Sequence, residues 1–119
     1  MFVFGSNLSG IHGGGAARIA YEKFGAIWGE GVGLQSKSYA IPTKSEGIKR
    51  TLTLEEIKPY VDSFISCAKD NPHITYLLTE VGCGLAGLQV EDVAPLFQEA
   101  VNVNNIHLPQ RFWDALSLK

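Results

Sequence analysis

Apolar positions along the chain switch repeatedly between short runs and helical spacing. Met1–Phe4 is apolar throughout and predicts a buried strand. Residues 5–15 then carry almost no side-chain bulk and predict a glycine loop. Ala16, Ala17, Ala20 and Phe24 recur at helical spacing, with Gly25 placed to end that helix. Gly29–Gly33 predicts a flexible segment. Ser38–Ile41 predicts a second strand, closed by Pro42 because proline cannot donate to a ladder. Thr53 and Glu56 form a capping box that starts a helix with Leu54, Ile57, Val61, Phe64, Ile65 and Ala68 on one face. Pro59 lies inside it and should kink or delay its first turns, and Asn71-Pro72 ends it. Ile74–Leu78 predicts a third strand. It leads into a second glycine-rich loop, Val81–Leu88, and then a helix with Val90, Val93, Leu96, Phe97 and Ala100 inward. Val101–Leu108 predicts a fourth strand despite three asparagines, and Phe112–Leu116 a short closing helix.

This order, β-loop-α-β-α-β-loop-α-β, predicts an α/β fold. Its expected form is a three-layer αβα domain with a mostly parallel twisted sheet and helices on both faces. Ligands of such sheets sit beyond the carboxyl ends of the strands. Both glycine-rich loops follow strands and precede helices, so they should line one cleft. A glycine loop opening a helix lets backbone N–H groups approach a phosphate, assisted by the helix dipole.

Bulk properties narrow the partners. The chain has 119 residues, is 45% hydrophobic and carries a net charge of −2, which predicts one domain and argues against bulk binding to nucleic acid or an anionic membrane. No apolar run approaches the roughly 20 residues needed to span a bilayer, and the N-terminal residues do not read as a signal peptide. Cys67 and Cys83 form no evident framework, so a reducing cytoplasm is expected. The scattered histidines, His12, His73 and His107, have no metal-ligand spacing, and no cofactor is implied.

Individual residues carry alternative readings. Gly13, Gly14 and Gly15, and likewise Gly82, Gly84 and Gly87, could cradle a diphosphate or simply supply turns. Asn7 could bond a ribose hydroxyl or cap its own loop. His12 could contact phosphate or act as acid–base, or merely be solvated. Lys44 could be a nucleophile if burial or nearby cations suppress its charge, could contact substrate, or could be an exposed loop lysine. Cys83 either acts as a nucleophile, with no histidine placed to activate it, or simply fits between glycines. Trp28, Phe112 and Trp113 could stack a base or pack in the core. Two further readings stay open: a different phosphate-binding α/β fold, such as the lysine-decarboxylase-like family, and an interaction protein whose glycines serve only turns.

Three segments together resemble the macro domain, the ADP-ribose-binding fold. They are Ser6-Asn7 followed by Gly13-Gly14-Gly15-Ala16-Ala17, the stretch Ile41-Pro42-Thr43-Lys44, and the loop Val81-Gly82-Cys83-Gly84-Leu85-Ala86-Gly87-Leu88-Gln89. The pattern is most similar to the sub-branch containing the terminal ADP-ribose glycohydrolase and the antitoxin that removes ADP-ribose from DNA. It also looks like small phage and prophage proteins. The resemblance implies an ADP-ribose-type nucleotide held by Ser6, Asn7, His12, Gly13–Ala16 and Gly82–Gly87, the latter including Cys83, Leu85 and Ala86. In a phage setting, the protein would sequester or process an ADP-ribose-derived immune signal. The alternative it implies is an ADP-ribosyl glycohydrolase that uses Lys44 on modified protein or DNA, with nucleic acid a partner only as that substrate. Three features depart from the pattern. The family's strand pair before the Asn-containing strand, which reads adenine, is not found here. Ala86 stands where the glutamate-linked glycohydrolase has an aspartate, so Glu80 or Glu46 would have to substitute. The tail 108–119 has no counterpart. A missing strand pair would leave a sheet edge open, which predicts self-association.

Overall fold

In the computed structural model, which describes residues 1–116, five strands form one sheet in the order β2-β3-β1-β4-β5. The strands are β1 (Phe2–Asn7), β2 (Gly33–Gln35), β3 (Ser38–Lys44), β4 (Tyr76–Leu78) and β5 (Ile106–His107). β1 is central and parallel to both β3 and β4; β4 is parallel to β5, and only β2 runs antiparallel. The helices are α1 (Gly15–Lys23), α2 (Leu54–Asp70), α3 (Val90–Val93, continued by a 3-10 segment Ala94–Asn102) and α4 (Gln110–Leu116). α1 packs on one face of the sheet through Ala17 and Ala20 against Phe4 and Ala40. The other helices cover the opposite face around Val3, Ile41, Phe64 and Phe97. This is the expected three-layer α/β architecture. No helix among the described residues is long and apolar enough to cross a membrane.

The strands depart from expectation where backbone pairing overrides local composition. β1 continues through Gly5-Ser6-Asn7, residues expected to be loop, because β3 extends alongside as a parallel partner. β3 likewise runs through Pro42 to Lys44. β2 pairs only with Ser38–Ala40, so the far part of β3 is an edge, where a proline is tolerated. The β1–β3 register shifts between Ser6 and Asn7, which face Pro42 and Lys44, leaving Thr43 as the extra residue. Its hydroxyl donates to Ser6 O at 3.1 Å. The shift sets Lys44 opposite Asn7 at the end of the sheet. β2 arises in the segment expected to be flexible. The outermost strands are the three-residue β2 and the two-residue β5, short in the way that blunts edge pairing. Beyond Ala40 the outer side of β3 is bridged, among the described residues, only at Lys44 by Thr51.

The capping box of α2 forms in full: Glu56 N donates to Thr53 Oγ1 at 3.1 Å and Thr53 N to Glu56 Oε1 at 2.9 Å. Pro59 does not interrupt the helix, which runs continuously from Leu54 to Asp70. Pro59 and Glu55, whose carbonyl loses its partner, are both exposed, where water can satisfy that carbonyl. The fourth strand shrinks to Ile106–His107. Asn105 instead donates its side-chain amide to the carbonyls of Ala68, Asn71 and Ile74, tying the end of α2 to the start of β4. A run of aromatic contacts, Tyr76–Phe64–Phe97–Phe112, anchors α4 to the core, with centroid separations of 5.6, 6.4 and 5.6 Å.

The capping box generates a measurable expectation. Thr53→Ala should lower unfolding free energy by about 1 kcal/mol in urea titration. Glu56 is held at about 2, chiefly by the hydrogen bond from the Arg50 guanidinium and then by Thr53 N–H. A depressed carboxylate stabilises above its unfolded range and loses that contribution as pH falls through its folded value. Stability should therefore fall between about pH 4.5 and 2, and Glu56→Gln should flatten that limb. An unchanged limb in Glu56→Gln would contradict the pairing.

Candidate functional site

The parallel strands bring the loops after β1 and β4 to the same edge of the sheet, where they border a cleft of about 780 Å³. One wall comes from Gly13–Ala17 at the start of α1 and the other from Gly82–Ala86. Ser6, Asn7, Thr43 and Lys44 line it from the ends of β1 and β3, and Thr79 and Glu80 from the end of β4. Of the residues expected to bind, Ser6, Asn7, Gly13–Ala16 and Gly82–Ala86 all border this one space, as does Lys44. His12 and Gly87 do not.

His12 is buried on the far side of its loop. Its Nε2 lies 2.8 Å from Ile27 O and 3.1 Å from Glu30 O, so this nitrogen carries the proton and donates to carbonyls. The ring packs edge-on against Phe4 and Trp28, and Nδ1 is buried with no partner among the described residues. The alternation of the loop turns His12 inward and leaves Gly13 outward. Gln35, also buried, accepts from Ile27 N and donates to Glu30 O, both at 2.8 Å, and so fastens the same 27–30 segment. Trp28 packs edge-to-face with Tyr21 and His12 away from the cleft, and Phe112 is core. Trp113 lies outside the cleft wall. Gly87 closes a turn with φ +78° and its N–H on Gly84 O.

The fold itself accounts for most of the glycines: Gly15, Gly82 and Gly87 take left-handed φ, and a Cβ at Gly14 would lie 3.0 Å from Leu85 Cδ1. At Gly31 a Cβ would sit 1.7 Å from Asn7 O, and at Gly10 2.2 Å from Glu30 N, so neither position admits a side chain. Gly13 and Gly84 are different. Neither has a left-handed φ, and a Cβ at either would meet nothing within 4 Å. Folding does not require their bareness. One belongs to each wall of the cleft.

Polar groups around the cleft are mostly engaged with the protein. Ser6 Oγ donates to Gly31 O. Asn7 Nδ2 donates to Ile11 O at 2.8 Å while its Oδ1 accepts from Ile11 N at 2.9 Å, the loop-closing arrangement. Thr79 Oγ1 donates to Val3 O at 2.7 Å. Glu80 is clamped by Arg111 of α4 through two bonds, of 2.9 and 2.7 Å. The hydrogen bond from Arg111 holds its carboxyl below the usual range, so it is ionised near neutrality and poorly suited to donate a proton. Glu46 is exposed in the turn after β3 and does not border the cleft. Burial, and then Glu80, push the Cys83 thiol up to about 11, opposite to what a nucleophile needs. Lys44 is half-buried and makes no ion pair with any described residue. Among the described residues no side chain caps α1, whose first turn holds no acidic residue, and its first residues, Gly15–Ala17, border the cleft. Thr51 Oγ1 donates to Ala86 O at 2.8 Å and pins the second loop.

Two features of this site were not anticipated from the sequence. Arg111 was invisible because nothing local marks it as the partner of a residue 31 positions away. Ile48, which borders the cleft, adopts φ +56°, a conformation that strains a β-branched residue. Comparison with models of known protein families, with curated proteins and with solved structures finds no match for this chain.

Relieving the Ile48 strain should be measurable. Asparagine tolerates the left-handed region, so Ile48→Asn should raise unfolding free energy by about 0.5–1 kcal/mol in urea titration. A loss of stability would show that apolar contacts of Ile48 outweigh the strain.

Proposed function

We propose that this chain binds ADP-ribose or a closely related nucleotide, the ligand implied by its resemblance to macro domains, with the diphosphate between the two glycine-rich loops. The observation that carries this reading is the pair Gly13 and Gly84. Each is a bare position bordering the cleft that neither backbone conformation nor packing demands. Clearance there serves a group from outside the chain. The start of α1 adds N–H donors and the positive end of a helix dipole, and Lys44 supplies an amino group with no ion-pair partner among the described residues. In a phage setting such a cleft would sequester an ADP-ribose-derived signal. The free thiols of Cys67 and Cys83 suit the reducing cytoplasm where such signals occur.

Calorimetric titration with ADP-ribose, NAD and cyclic ADP-ribose tests the reading. Saturable heat with at least one is expected. Gly13→Val should then weaken binding about tenfold or more while the thermal midpoint moves by no more than about 2 °C. No heat with any of the three would overturn the reading, and a variant that binds as tightly as wild type would remove the cradle.

A second reading, glycohydrolysis, is favoured by one observation: Lys44 borders the cleft and makes no ion pair among the described residues. It lacks a proton donor, since Ala86 has none to give and Glu80 is held by Arg111. If it holds, wild type releases ADP-ribose from modified protein or DNA and Lys44→Ala does not. No release by wild type from either substrate sinks it.

A further inference from the structure

The mouth of the cleft is apolar, and its three apolar side chains come from three separate loops. Ile11 is 36% exposed, Ile48 37% and Leu85 75%, yet all border the same space. Leu85 leans across onto the opposite wall: a Cβ built at Gly14 would lie 3.0 Å from its Cδ1, and one at Gly15 3.4 Å. Ile11 is fixed by the Asn7 side chain through both its N–H and its carbonyl. Ile48 is held out in a left-handed conformation within a turn pinned by the bond from Gly47 N to Ser9 Oγ, at 2.7 Å. Leaving large aliphatic groups in water brings no stability, and one of the three sits on strained backbone.

Apart from Lys44 and the backbone N–H groups, assigned above to the diphosphate, the polar side chains around this mouth are engaged with the protein. The hydroxyls of Ser6, Thr43 and Thr79 donate to backbone carbonyls. Asn7 closes its loop, and Glu80 faces Arg111. Among the described residues no aromatic side chain borders the cleft; Tyr21 and Trp28 pack on His12 instead. From this arrangement we infer that Ile11, Ile48 and Leu85 grip the faces of a purine through aliphatic contact, without hydrogen-bond readout of its edge, so that the cleft selects the diphosphate and sugar but not the base. This rests on the nucleotide-binding reading above and adds to it a specificity rule.

Adenine and hypoxanthine separate the alternatives. They share shape and faces, but exchanging the 6-amino group for a 6-oxo group inverts donor and acceptor at positions 1 and 6. A site that hydrogen-bonds that edge discriminates strongly, because the wrong base leaves buried groups unpaired. An aliphatic grip does not. Calorimetry with ADP-ribose and inosine diphosphate ribose should give dissociation constants within about threefold of one another. Leu85→Ser, at an exposed position with little bearing on folding, should weaken both about tenfold, the worth of one well-placed aliphatic side chain. A preference of about 30-fold or more for the adenine form would overturn the inference, while leaving nucleotide binding intact. Equal affinity of Leu85→Ser and wild type would also overturn it, by removing the grip. Absence of heat with both nucleotides would instead overturn the binding reading, and this inference with it.

Discussion

The position of β1 between two parallel partners governs everything else in this molecule. A strand paired in parallel on both sides must send its neighbours' ends to the same edge of the sheet. The loop after β1, the end of β3 and the loop after β4 therefore meet, although residues 13, 44 and 84 are far apart in sequence. The one-residue shift at Thr43 then sets Lys44 opposite Asn7. Without that pairing the glycine loops would be unrelated turns.

The glycines separate into those the fold requires and those it leaves free. Gly10 and Gly31 are dictated by close approach of the 27–31 segment to the end of β1, where His12, Gln35 and Ser6 also fasten it. That fastening turns the loop so that His12 faces inward. Gly13 and Gly84 then remain bare without structural need. The same logic extends to the mouth, where Ile48 bears strain and Leu85 stays exposed. Local choices that disagree with folding stability tend to mark function.

Much of this was legible in the sequence where the signal is local. The α2 capping box, the apolar stripe of α2 and the strand–loop–helix sequence all depend on neighbours within a few residues. That the two loops border one space followed from the parallel topology that this alternation implies, not from local signals. What was not legible depends on distant pairing. β2 carries no hairpin signature in Ser36-Lys37 and forms because β3 offers an edge. The extension of β1 through Asn7 and of β3 through Pro42 reflects mutual pairing that overrides proline and glycine propensities. Asn105 ends the expected fourth strand by spending its side chain on three carbonyls. Arg111 reaches Glu80 only because Phe112, its neighbour in sequence, is anchored in the core.

The central claim is that one diphosphate is held jointly by the loops following β1 and β4. Amide-resolved NMR during titration with ADP-ribose addresses it most directly. The account predicts that the amides of Gly13–Ala16 and of Gly82–Leu85 shift together along one saturation curve, while Trp28, on the far side of the β1 loop, stays unmoved. Shifts confined to a single loop, or centred on Trp28, would contradict it.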